Sequence, residues 1–207
     1  MQTIFIHGLG QDPSSWDKTT DCLSEHATCH CPDLSQFLKG IESTYVNLYI
    51  GFSRYCDSFS EPFNLCGLSL GAVLALNYAV DNPHRVNSLI LIAPQFEMPK
   101  ALLKFQNVIF KLMPENAFNQ MGFGKKDFIT LTNSMAALNF SNRLKIVLCP
   151  ALVVCGEKDK TNRKAAIKLV QMLSDAEFCS VDKSGHEVNI DQPYKLAEII
   201  EDFYTRI

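Results

Sequence analysis

The chain has 207 residues, of which 47% are hydrophobic and 20% are charged, a balance typical of one globular domain with one core. The formal net charge of −3 and the lack of a basic cluster argue against nucleic acid as the main partner and against a polybasic membrane contact. No apolar run is long enough to span a bilayer, and the first residues lack the pattern of a signal peptide. We therefore expect a cytoplasmic protein that acts on a small molecule, without nucleic acid and without stable membrane insertion.

Short apolar runs rich in β-forming residues alternate along the chain with segments of helical periodicity. This alternation indicates βαβ units and a mainly parallel sheet. The predicted strands cover residues 3–6, 27–31, 63–66, 88–92, 151–155 and 177–181. The predicted helices cover about residues 12–25, 41–59, 69–81, 163–173 and 193–204. The helix over 69–81 is apolar nearly all round, so we expect it to be buried.

Several strand-like runs are apolar at successive positions rather than at alternate ones. Such runs are typical of strands that helices cover on both faces of the sheet. The predicted fold class is therefore α/β, with a mainly parallel sheet of about six strands and helices on both faces. We predict a single domain over residues 1–207.

One region interrupts the alternation of strands and helices. Between Pro94 and Leu148 no strand is evident, and the stretch is rich in phenylalanine, methionine and leucine. It is too long for a plain connection in a compact domain. We interpret residues 95–148 as a short helical lid inserted into the domain; the alternative is one ordinary crossover helix with loops.

The eight cysteines do not indicate a metal site. No Cys-x-x-Cys pair occurs, and the spacings match no zinc template. Cys66, Cys155 and Cys179 lie in strand-like runs, where a free thiol behaves as a small hydrophobic group. The cluster at residues 29–31 is the one place that invites a metal interpretation, but its two cysteines are better explained as sharing one face of a strand. We predict neither a metal nor an organic cofactor.

The segment Gly67-Leu68-Ser69-Leu70-Gly71 stands between a predicted strand and the predicted buried helix. In this context Gly-x-Ser-x-Gly is the pattern of a nucleophile elbow, a strained turn that lifts the serine hydroxyl clear of the sheet. The residues two before and two after the serine crowd together, so Gly67 and Gly71 need to be small. The alternative is an ordinary turn bracketed by glycines.

Ser69 needs a general base, because a neutral serine hydroxyl is a poor nucleophile. His186 is the preferred candidate, since it follows the last predicted strand in a polar loop beside a glycine; the alternative is a surface histidine without a role. The remaining histidines fit less well because they lie in the first turn, beside an early strand or at a helix end: His7, His26, His30 and His84.

A histidine base needs a carboxylate that fixes its tautomer and stabilises its charged form. Asp159 fits this role, because it follows a buried strand and a polar turn. Glu157 is the main rival, and Asp182 is disfavoured by its closeness to the histidine in sequence. Asp191 is expected to cap the last helix instead.

Backbone N–H groups that stabilise a developing oxyanion would complete the site. One donor should be Leu70, directly after the nucleophile, and the other Leu9, in the loop after the first strand. Leu9, Ser69, Asp159 and His186 all follow predicted strands. Because the carboxyl ends of parallel strands share one edge of a sheet, we expect these four positions to converge there.

The order Ser69, Asp159, His186 with His7-Gly8 upstream resembles the α/β-hydrolase superfamily. Similar too are residues 12–16 after the first loop, residues 82–86 before a strand, and Gly185-His186 followed by residues 191–193. The resemblance covers nearly the whole chain. It implies Ser69 as nucleophile, His186 as base, Asp159 as acid, and Leu9 and Leu70 as oxyanion donors. The sequence departs from the family in lacking the usual N-terminal hairpin and in having a short lid.

These features predict a serine hydrolase that cleaves a carboxylic ester or thioester through an acyl-enzyme. Two alternatives remain: a carbon–carbon bond hydrolase or lyase on the same scaffold, which Arg54 and Arg143 would favour if they lined the pocket, and a binding module without catalysis. An apolar acyl pocket is proposed from a set of lid residues, although more than half of them are expected to pack the lid onto the core: Phe96, Leu102, Leu103, Phe105, Phe110, Leu112, Met113 and Phe118.

Overall fold

The computed structural model describes residues 2–24, 28–98, 113–115, 118 and 124–207. Within these ranges, six parallel strands form one sheet in the order β2-β1-β3-β4-β5-β6. The predicted α/β class and the number of strands are confirmed. The strands are β1 (Gln2–Ile6), β2 (Thr28–His30), β3 (Phe63–Leu68), β4 (Val86–Ile92), β5 (Ala151–Gly156) and β6 (Ala176–Val181).

Helices connect the strands and cover both faces of the sheet. In the part of the chain that the structure describes, the α-helices are α1 (Asp17–Thr20), α2 (Tyr45–Asp57), α3 (Leu70–Asp81), α4 (Lys125–Ser134), α5 (Lys160–Met172), α6 (Val188–Asp191) and α7 (Pro193–Tyr204). Helix α3 is buried on all sides from Leu70 to Val80, as its sequence predicts. It is the helix that the serine turn opens, so the turn has a rigid support.

The first predicted helix is shorter than expected. Asp12 caps it and Pro13 starts it, but the first turn is a 3₁₀ helix and the following α-helix ends at Thr20, not at residue 25. Trp16 packs its ring 5.3 Å from that of Phe5 and is fully buried. The N-terminal end of the helix is anchored there.

Two apolar layers lie on the two faces of the sheet. The larger layer joins the strands to helices α2, α3 and α5. The smaller one joins them to Trp16 and to helix α7. Cys29 and Cys31 both pack against this smaller layer, whereas the ring of His30 contacts Phe59 on the opposite side. Cys29 in β2 and Cys31 directly after it therefore lie on the same side of the sheet, as predicted. The described residues contain no group of side chains arranged to hold a metal ion.

The stretch interpreted as a lid is described only in part. Residues 96–98 and 138–140 run antiparallel, with a bridge between Glu97 and Asn139, and helix α4 packs on the core through Phe128 and Leu131. Phe96 and Phe118 are buried in the larger apolar layer. The extent of the lid over residues 95–148 stays a prediction. Five of the proposed pocket residues lie outside the described residues: Leu102, Leu103, Phe105, Phe110 and Leu112.

None of the helices in the described ranges is both long and apolar enough to cross a bilayer.

Candidate active site

Ser69 occupies a strained turn between β3 and α3. Its backbone has φ of 54° and ψ of −110°, a region that residues other than glycine rarely adopt. The turn is held from both sides, because the Ser69 N–H donates to the Ile92 carbonyl at 2.9 Å and the Ser69 carbonyl accepts from the Val73 N–H at 3.0 Å. Such strain is retained where the surrounding structure fixes the residue, and it is common at functional sites.

The two glycines of the turn are required by close backbone contacts. A Cβ atom on Gly67 would lie 2.3 Å from the Gly71 carbonyl oxygen, and one on Gly71 would lie 2.1 Å from the Ile6 carbonyl oxygen. Both distances are far below any normal contact, and both neighbours are backbone atoms that cannot rotate away. The glycines therefore let the turn pack directly against the end of β1.

Gly71→Ala should destabilise the protein by about 3 kcal/mol or more, because the added methyl group forces strand β1 and helix α3 apart. Urea denaturation measures this as a lower midpoint or as a failure to fold. Gly124→Ala is the matched control, since its Cβ would meet the movable Asp127 carboxylate at 3.1 Å and no backbone atom. Equal stability of the two variants would contradict the packing argument.

His186 and Asp159 meet at the carboxyl ends of β6 and β5. The Nδ1 atom of His186 lies 2.8 Å from Oδ2 of Asp159, whose side chain is 4% exposed, while the His186 side chain is 43% exposed. Burial alone would raise the pKa of Asp159, but hydrogen bonds from His186 and Asn162 outweigh it, so the pKa is lowered. The carboxylate is therefore ionised at neutral pH and can orient the imidazole.

The rival carboxylates have other partners. Glu157 is exposed and accepts a hydrogen bond from the Lys183 N–H at 3.1 Å. The expectation that Asp191 caps the last helix is wrong: it ends α6, and its carboxylate accepts from the Gly185 N–H at 2.6 Å. Because this bond fixes the residue next to His186, Asp191 supports the histidine loop instead of the helix.

The loop after β1 packs against the serine turn. A Cβ atom on Gly8 would lie 3.1 Å from the Leu68 side chain and 3.7 Å from its carbonyl oxygen. Neither the Leu9 N–H nor the Leu70 N–H donates a hydrogen bond to any atom of the described residues. Both amides are therefore available as hydrogen-bond donors, and their role as oxyanion donors stays a prediction.

His7 holds this loop in place through two hydrogen bonds of its ring. Its ring is 1% exposed; Nε2 accepts from the Leu34 N–H at 3.2 Å, and Nδ1 therefore donates to the Gly8 carbonyl at 2.9 Å. Burial lowers the pKa of His7, and this outweighs the hydrogen bond to Gly8, which favours the charged ring. The ring is neutral at neutral pH, which its acceptor role towards Leu34 requires.

Lowering the pH from 7 to 5 should weaken the native state through His7. Because the pKa is lower in the folded protein, the unfolded chain takes up a proton first, so stability is lost as the pH falls below about 6.5. Urea unfolding at both pH values measures this loss. In His7→Gln, which has no titrating ring, the difference between the two pH values should be smaller; an equal difference would contradict this assignment.

The four predicted positions share one edge of the sheet, but not all of them are in contact. Hydrogen bonds link the strand ends across this edge, from Ser69 to Ile92 and from Ala93 to Val154. The Ser69 hydroxyl forms no hydrogen bond to His186 or to any other residue in the described ranges. Catalytic hydrogen bonds are often long without substrate, so this arrangement is compatible with a base that closes on the serine when substrate binds.

Sequence reasoning missed two polar residues that tie these loops together. The Gln11 side chain accepts from the Gly8 N–H at 3.2 Å and donates to Glu187 at 3.0 Å, so it joins the loop after β1 to the histidine loop. Asn162 contacts both Asp159 and His186. Its signal was present in the spacing: a capping aspartate accepts from the N–H three residues later, which places residue 162 beside the carboxylate.

The sequence matches the alpha/beta hydrolase family over residues 3–199, and the chain belongs to this family. It is 25% identical over 146 residues to a pimeloyl-[acyl-carrier protein] methyl ester esterase of Aliivibrio fischeri; the match covers 70% of this chain and 56% of that protein, little more than half its length. It is 22% identical over 260 residues to monoacylglycerol lipase ABHD6 of Mus musculus, covering 99% of this chain and 75% of the relative.

The fold is similar to that of solved α/β-hydrolase structures. The enol-lactonase from Burkholderia xenovorans LB400 superimposes with a TM-score of 0.86 at 16% sequence identity, over 99% of this chain and 91% of that chain. At this identity the likeness concerns the fold alone.

Proposed function

We propose that this protein is a serine hydrolase that cleaves a carboxylic ester or thioester of a small or medium, apolar acyl group. The observation that carries the proposal is the pairing of His186 with the buried, ionised Asp159 at the same sheet edge as the strained Ser69. Each feature has an independent structural cost, since strain and a buried charge are both destabilising. Their coincidence at one edge is expected of a site that performs acyl transfer.

In the proposed reaction the Ser69 hydroxyl attacks the ester carbonyl while His186 Nε2 takes its proton. The carbonyl oxygen gains negative charge and is stabilised by the Leu9 and Leu70 N–H groups. Collapse of this intermediate expels the alcohol or thiol, which receives the proton from His186, and leaves an acyl-enzyme. A water molecule that His186 deprotonates then attacks the acyl group and releases the acid and the Ser69 hydroxyl.

The substrate class rests on the relatives and on the composition of the region after β4. Both relatives reported above are named for esters of acyl groups. Phe96 and Phe118 are committed to the core, whereas Met113 is half-buried against it and could contact an acyl chain. We therefore no longer include Phe96 and Phe118 among the residues of the proposed acyl pocket.

Carbon–carbon bond cleavage has no support from the placement of the arginines. Arg143 is paired with Asp81 at 2.7 Å, at the far end of helix α3 from Ser69, and Arg54 is exposed on α2. Arg143 is therefore engaged away from the serine, and no contact among the described residues places Arg54 beside it. Ester or thioester cleavage is the better explanation of the site.

A fluorophosphonate probe tests the proposal directly. We expect a covalent adduct on Ser69, identified by peptide mass spectrometry, that is absent from Ser69→Ala and from protein unfolded before treatment. Ser53→Ala, on helix α2, is a control that should label normally. A clean failure of the folded protein to react would overturn acyl transfer and would favour a binding module.

A series of p-nitrophenyl esters tests the acyl pocket separately. We expect kcat/KM to rise with acyl chain length up to a medium length and then to fall. A flat response in a protein that labels at Ser69 would reject the apolar pocket but retain the hydrolase.

The cytoplasmic location expected from the sequence is part of the same proposal. Fractionation of cells that express the protein tests it, and recovery with membranes would contradict it.

A further inference from the structure

The side chain of Asn162 contacts both the proposed acid, Asp159, and the proposed base, His186. Its side-chain Nδ2 lies 2.8 Å from Oδ2 and 3.0 Å from Oδ1 of Asp159, and 3.0 Å from Nδ1 of His186. The residue is 8% exposed. Its backbone N–H also donates to Oδ1 of Asp159 at 3.1 Å, as the cap of helix α5. One asparagine therefore holds both oxygens of the carboxylate.

Chemistry fixes which way the Asn162 amide points. An ionised carboxylate only accepts hydrogen bonds, so the amide atom that faces Asp159 must be the NH₂ group. The amide oxygen then faces Gln95, whose Nε2 donates to it at 2.6 Å. Gln95 is half-buried and lies three residues after β4, where the chain enters the stretch over 95–148.

This orientation matters for the state of His186. The Asn162 NH₂ group already lies 3.0 Å from Nδ1 of the imidazole, and if it donated to that nitrogen instead of to Asp159, the ring proton would be on Nε2. A ring protonated at Nε2 cannot take a proton from serine. The bond from Gln95 holds the opposite side of the amide and keeps the NH₂ group directed at the Asp159 carboxylate.

We propose that Asn162 is a positioning residue that aligns the Asp159 carboxylate with Nδ1 of His186, and that Gln95 locks Asn162 in the required orientation. The inference rests on the proposed function for its catalytic consequence, but not for its structural content. It also connects the chain segment after β4 to the acid and base through two amide side chains.

Asn162→Leu tests the proposal, because it has nearly the same shape, keeps the backbone N–H bond of the helix cap and removes only the amide. Asn77→Leu is the matched control: Asn77 is also 8% exposed and also donates to a carboxylate, that of Asp81, but it is remote from the site. We expect kcat for an activated ester to fall about 10–100-fold in Asn162→Leu, the range for losing a hydrogen bond to a charged group, with KM changed less than about twofold.

Two readouts separate positioning from a general loss of structure. In an Asp159→Ala background, Asn162→Leu should cost little further activity, because it acts through that carboxylate. In NMR spectra of the wild type, the Nδ1–H proton of His186, assigned with His186→Ala, should resonate at low field and exchange slowly. It should be lost or shifted in Asn162→Leu and unchanged in Asn77→Leu.

Retention of both kcat and the Nδ1–H signal in Asn162→Leu would overturn the proposal, as would equal losses with and without Asp159. If Asn162→Leu does not fold, Gln95→Glu decides, since a carboxylate there repels the Asn162 oxygen and should flip the amide. The flipped amide places its oxygen against the Asp159 carboxylate and should displace that carboxylate and shift the Nδ1–H signal. A wild type with the predicted NMR behaviour but no ester hydrolysis would reject the proposed function and leave the positioning intact.

Discussion

Ser69→Ala should reduce kcat/KM for ester substrates by about 10⁴- to 10⁶-fold, the loss found when a serine nucleophile is removed from a working triad. Alanine keeps the Cβ atom and the backbone bonds of the turn to Ile92 and Val73, so the fold should be retained. Steady-state kinetics with a p-nitrophenyl ester, together with a urea unfolding curve, measure both quantities.

The activity of Ser69→Ala also decides whether Ser69 is the nucleophile. If Ser69→Ala retained activity within about tenfold of the wild type, the nucleophile would be another group. Ser53→Ala, on helix α2, serves as the control for the assay because nothing places its hydroxyl at the site.

The arrangement of the sheet was predictable because its signals are local. Runs such as those of β3 and β5 are buried at every position, and a strand covered on both faces has to be apolar throughout. Helix α3 is apolar on all sides for the same reason. Crowding around Gly67 and Gly71 follows from the geometry of a tight turn, so it too could be inferred from five residues.

Helix boundaries were less predictable, because a helix begins where a polar side chain caps its first N–H groups, and several polar residues near each start could do so. Helix α2 begins at Tyr45 rather than near residue 41, since the Thr44 hydroxyl accepts from the Asn47 N–H. Helix α5 begins at Lys160 because Asp159 caps it, three residues earlier than expected. The same capping interaction positions the Asp159 carboxylate for His186. Placing the helix start at residue 163 therefore left the contact between Asp159 and Asn162 unpredicted.

The contacts that organise the site join residues distant in sequence, and no local pattern reveals them. Gln11 and Glu187 are 176 positions apart, and Gln95 and Asn162 are 67 apart. Each pair depends on the registers of several strands at once. The sequence therefore predicted the positions of the proposed nucleophile, base and acid, but not the amides that orient them.

Asp159→Asn should lower kcat/KM by about 10⁴-fold with little change in fold, because the residues around position 159 determine how the new amide must point. At the Oδ1 position the backbone N–H of Asn162 demands an oxygen, whereas Nδ2 of Asn162 reaches both positions and selects neither. The new NH₂ group is thereby directed to the Oδ2 position, 2.8 Å from Nδ1 of His186.

In that arrangement the imidazole accepts at Nδ1 and carries its proton on Nε2, so it cannot deprotonate Ser69. Kinetics on the purified variant measure the loss, and NMR detects the expected transfer of the ring proton from Nδ1 to Nε2. Asp81→Asn is the matched control, because that carboxylate also accepts from a helix asparagine and from Arg143 but lies away from the site. A variant of Asp159 with near-normal activity would show that His186 is oriented by another group, and the acid assigned to the triad would be wrong.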